Sequence, residues 1–99
     1  MKKKWLLLSL IGFLVSCSKQ ESMDALTARV FTVAEQQYLT MDTRLESTTL
    51  PQSIAPDSTF KSSTIYWWCS GFYPGSLWYI YEYTQNEAVK TLAEKNTLK

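Results

Sequence analysis

Apolar positions recur at helical spacing from Met23 to Leu45, where Leu26, Val30, Val33, Gln37 and Met41 fall on one stripe. Ala34, Tyr38 and Leu45 widen that stripe, and Arg29, Glu35, Asp42 and Arg44 are expected to face water. Ser22 stands where an N-cap belongs, and Asp24 puts negative charge in the first turn. Ser47 to Thr64, with Pro51, Pro56 and many hydroxyl residues, shows little periodicity and reads as a long loop. A helix opened by Pro74 and running to Thr84 is apolar almost all the way round, which predicts burial on every side. Thr84-Gln85-Asn86 interrupts it, with Asn86 suited to a left-handed cap. Glu87 to Asn96 is a second amphipathic helix, with Val89, Leu92 and Ala93 inward and Lys90–Glu94 as an i,i+4 pair.

The N-terminus has a different pattern. Lys2, Lys3 and Lys4 precede an apolar run from Trp5 to Val15, which is too short to span a bilayer and fits an export signal. It ends Leu14-Val15-Ser16-Cys17, which resembles the bacterial lipoprotein signal. That resemblance implies cleavage after residue 16 and lipidation of Cys17. The product would be an exported lipoprotein held to a membrane, outer membrane included, on the periplasmic or cell-surface side. An ordinary signal peptide with a chance cysteine is the plainer alternative. Residues 17–22 would form a polar tether, and 23–99 the folded part.

The whole chain carries +1; loss of the three leader lysines leaves seven basic against nine acidic residues, or −2. No basic stripe remains, so nucleic acid is not an expected partner. The absence of histidine removes Ser-His-Asp and Cys-His nucleophile pairs and imidazole metal sites. With one cysteine assigned to lipid, Cys69 reads as a small buried residue rather than a nucleophile. No cofactor or metal site is expected.

Nine of the chain's 14 aromatic residues lie between Tyr66 and Tyr83. An all-round apolar helix needs neighbours on several faces, and a short chain offers few. The chain therefore reads as a piece of something larger. Trp67, Trp78, Tyr79, Tyr81 and Tyr83 are expected in a core, whereas Trp68, in a loop beside Gly71, is a candidate binding surface.

The run Trp68-Cys69-Ser70-Gly71-Phe72-Tyr73-Pro74-Gly75-Ser76-Leu77-Trp78-Tyr79-Ile80-Tyr81-Glu82-Tyr83-Thr84 resembles a signature of the unsaturated glucuronyl hydrolases, glycoside hydrolase family 88. Leu50-Pro51-Gln52-Ser53-Ile54 resembles their segment between the first helix and that signature. The resemblance implies an all-α (α/α)6 barrel, of which this chain would hold only the N-terminal portion. It implies removal of 4,5-unsaturated uronic acid from lyase-generated oligosaccharides by hydration of the vinyl ether. It implies a substrate contact at Trp68 and no catalytic residue here, the acid aspartates being expected beyond Lys99. A neighbouring family acting on unsaturated rhamnogalacturonan fragments is the second choice. Many members have Asp where this sequence has Trp67, so no role attaches to that position. From the residues alone, a small sugar-binding lipoprotein and a structural lipoprotein with a protein partner stay open. Asp57 and Glu82 receive no catalytic role.

Overall fold

The computed structural model describes residues 20–99. The proposed signal and the lipidation residue Cys17 lie outside them. The elements run α1 (Met23–Asp42), β1 (Thr49–Ile54), β2 (Phe60–Thr64), α2 (Phe72–Thr84) and α3 (Glu87–Thr97). The described chain is thus mostly helical.

It is not all-helical, because the expected loop contains an antiparallel hairpin, β1 against β2. Its turn follows from local chemistry. Pro56 presets the first corner, and Ser58 N–H donates to Ala55 O at 2.8 Å. Ser58 then takes φ 65°, the left-handed position of a three-residue hairpin loop. Pro51 is tolerated within β1 because a two-stranded sheet has only edge strands and the register slips between Pro51 and Ser53.

In α1, Ser22 caps the first turn, its Oγ accepting from Ala25 N–H at 3.2 Å. Glu21 is not free tether: its carboxylate takes both Nε and Nη2 of Arg29, at 3.2 and 2.9 Å. The inward face is the widened side of the expected apolar face: Ala34, Tyr38, Met41 and Leu45 pack on the core as expected, joined by Phe31 and Leu39. The aromatic side of that face, with Phe31 and Tyr38, is the part that turns inward, and its Val30–Val33 edge is left at the surface.

α2 begins at Phe72, two residues before Pro74. Proline fits at this third position for the same reason as at the first, since the opening N–H groups have no intrahelical acceptor. Gln85, not Asn86, takes the left-handed position (φ 55°, ψ 26°), its N–H donating to Tyr81 O at 2.7 Å. Asn86 instead caps α3, its Oδ1 accepting from Ala88 N–H at 2.9 Å. Its Nδ2 donates to Glu35 Oε1 at 2.8 Å and so ties α3 to α1. Lys90 pairs with Glu87 at 3.7 Å rather than with Glu94.

Leu50, Tyr73, Leu77, Ile80, Val89 and Ala93 form the shared core. Asp42 lies buried beneath α3, contrary to the expectation that it faces water. Lys95 Nζ donates to its Oδ2 at 2.8 Å and Asn96 Nδ2 to its Oδ1 at 2.9 Å. Burial alone would push the Asp42 carboxyl up. The donors Lys95 and Asn96, with the charges of Lys95 and Lys99, outweigh that and hold it below its ordinary value.

Candidate functional site

Trp68 owes its position to the turn that joins β2 to α2. Trp67 N–H donates to Thr64 O at 3.1 Å, and Ser70 N–H returns to Trp67 O at 2.9 Å. The Ser70 hydroxyl reinforces this by donating to the same Thr64 carbonyl at 2.8 Å. Residues 67–70 therefore make a closed corner with Trp68 at its outer edge. The indole is 83% exposed, with Trp67 set edge-on at 6.1 Å between ring centroids. Such an indole, stiffened by a neighbouring ring, can lie against the apolar face of a sugar.

The expected burial of α2 on every side holds for one flank. Tyr73, Pro74, Leu77 and Ile80 are buried, but Phe72, Trp78, Tyr79 and Tyr83 are exposed. Tyr83 is stacked on Phe31 at 4.0 Å. Tyr73 stacks on Tyr38 and donates to the Tyr38 carbonyl at 3.3 Å. Burial, helped by Asp42 and Tyr38, pushes its phenol well above the ordinary range. Trp67 and Tyr81 are half-buried, as is the free thiol of Cys69.

Two of the grooves on the described surface adjoin these elements. The larger, about 780 Å³, runs between α1 and the hairpin past Gln37, Met41, Arg44, Ile54 and Phe60. The smaller, about 400 Å³, lies between the start of α2 and the end of α3. Trp68 lines neither. Sequence reading did not find the smaller groove, because residues from 50 to 99 meet there only on folding.

Asp57 belongs to the hairpin turn. Its Oδ1 accepts from Thr59 Oγ1 at 2.7 Å and Thr59 N–H at 3.1 Å, which hold its carboxyl below its ordinary value. Glu21 is lowered as well, by Arg29. Each of the carboxyls whose acidity the fold moves is moved away from proton donation at neutral pH. Among the described residues no cluster of three or more carboxylate and thiol groups could hold a metal ion.

No family model matches the chain, and no solved structure matches it. A stretch of 31 residues is 52% identical to an unsaturated chondroitin disaccharide hydrolase of Streptococcus pneumoniae. That stretch is 31% of this chain and 8% of the hydrolase. The chain therefore spans a small part of that relative, and the likeness is to a glycosidase.

Proposed function

We propose that this chain supplies the N-terminal helices of an (α/α)6 hydrolase that removes unsaturated uronic acid from lyase-generated oligosaccharides. The observation that carries this reading is the 31-residue match to an enzyme named for an unsaturated disaccharide. The signature from Trp68 to Thr84 agrees with it, and so does the bare aromatic flank of α2, which leaves surface for further helices. Within the reading, Trp68 holds the sugar ring. A proton reaches the vinyl ether from an acid outside these 99 residues, water adds, and the hemiketal opens. Asp42 and Asp57 are held below their ordinary pKa and so stay ionised at neutral pH, which supports placing that acid elsewhere. Cys17 carries the lipid that holds the protein to a membrane after export.

The test is titration of the chain with unsaturated chondroitin disaccharide, followed by tryptophan fluorescence and by the ultraviolet absorbance of the vinyl group. The disaccharide should bind, Trp68→Ala should weaken binding by about tenfold, and the absorbance should persist. Loss of absorbance with the wild-type chain would place the acid within it. Unchanged affinity in Trp68→Ala would remove the role of the indole.

A further inference from the structure

The larger groove has two unlike walls. One is a single stripe of α1, where Val33, Gln37, Met41 and Arg44 stand three or four residues apart and so share a face. The other is β1. Ser53 and Ile54 both line the groove, although alternation sends their side chains to opposite faces of the hairpin. A groove that reaches both meets β1 along its edge rather than over one face. That edge is the free one, because β2 holds the other.

The free edge has backbone groups to offer. Ala55 N–H donates to Thr59 O at 2.9 Å, so the Ala55 backbone turns toward β2. That direction alternates along an antiparallel pair, and Ile54, one residue back, turns its N–H and C=O away from β2. Pro51 has no N–H, so pairing at this edge centres on Ile54.

The walls also carry uncovered apolar surface and one charge. Ile54 is 72% exposed and Val33 45%. Among the described residues that line the groove, Arg44 is the one charged side chain, and it closes the helical stripe. It forms no ion pair among the described residues. From Val33 to Arg44 the helix rises about 16 Å, the length of about five extended residues.

A free strand edge facing an apolar stripe suits an occupant that pairs through its own backbone and turns alternate side chains to the helix. The lone cation asks that it be acidic. We propose that this groove binds an extended peptide segment with an acidic side chain, which adds a strand to the hairpin at Ile54. The peptide backbone pairs with the Ile54 N–H and C=O, its apolar side chains cover Val33 and Met41, and its carboxylate meets Arg44. The contact does not use Trp68, so it stands or falls apart from the function proposed above.

The probes are two acetylated, amidated pentapeptides, Glu-Val-Thr-Val-Thr and the reverse order Thr-Val-Thr-Val-Glu, so that either strand direction is sampled. Each has a twin with Gln in place of Glu, and binding is followed by nitrogen–proton correlation spectra of the full chain. One order should move the Ile54 amide, and its Gln twin should bind about fivefold more weakly. Arg44 is exposed, so Arg44→Glu leaves the fold in place; it should reverse the preference, favouring a peptide with Lys in place of Glu. N-methylation of the third and fourth peptide residues removes a backbone donor on whichever side faces β1, leaves the protein untouched, and should abolish the Ile54 response. The proposal is overturned if neither order moves Ile54, if the Gln twins bind as tightly, or if the N-methylated peptides bind as well as their parents. It is also overturned if Ile54 moves with protein concentration in the absence of peptide, which would put a second copy of the chain at this edge. A response confined to the Trp68 indole would overturn this site and leave the function proposed for Trp68 standing.

Discussion

Asp42 shows how one side chain can carry a helix contact through charge. Its carboxyl is held below its ordinary pKa, which means that folding favours the ionised form. The contribution is present above the unfolded value near 3.8 and is lost as pH falls through the lower folded value. Urea denaturation should show a midpoint that drops below about pH 4, with a smaller drop in Asp42→Asn. At neutral pH Asp42→Asn should cost about 2 kcal/mol, because Lys95 and Asn96 lose a charged acceptor. Asn86 is the second such residue. Asn86→Ala removes both the α3 cap and the bond to Glu35, and should cost about 1–2 kcal/mol by the same measurement. Asn86→Asp keeps the cap and faces Glu35 with like charge, so it should recover only part of that loss.

At the scale of elements, two joints use residues in the left-handed region without being glycine. Gln85 ends α2 there, and Ser58 closes the hairpin there. Gln85 offsets part of the strain by donating its Nε2 to Glu82 O at 2.8 Å. Ser58→Gly should raise stability by about 0.5–1 kcal/mol, and Gln85→Gly by less, read from thermal midpoints. The hairpin was hidden in the sequence by Pro51 and by a run of serines and threonines lacking alternation. Its one local sign was Pro56-Asp57 between Ile54 and Phe60. The helices were legible because their caps are local: Ser22 and the break at Gln85-Asn86 need no distant partner.

For the whole molecule, the governing feature is the bare flank of α2. Phe72, Tyr79 and Tyr83 stand seven and four residues apart and so share a face. Phe72 and Tyr79 are each about 70% exposed. A chain with such a face should self-associate, and light scattering should show it growing with concentration. Phe72→Ser with Tyr79→Ser should suppress that association while moving stability by no more than about 0.5 kcal/mol.

The sequence by itself determined the three helices and the Ser22 cap, because these depend on residues within a turn or two of one another. Its aromatic excess also implied more apolar surface than a short chain can cover, while which residues of α2 stay bare was decided by the fold. Tertiary structure decided which stripe of α1 turns inward, since Phe31 and Tyr38 find ring partners in Tyr83 and Tyr73 only after the chain folds back. It decided that Asp42 is buried rather than solvated, because its donors stand more than 50 residues away. It also decided that Asn96, Lys99, Gly75 and Trp78 share one groove, a meeting set by how α2 and α3 pack and carried by no local pattern.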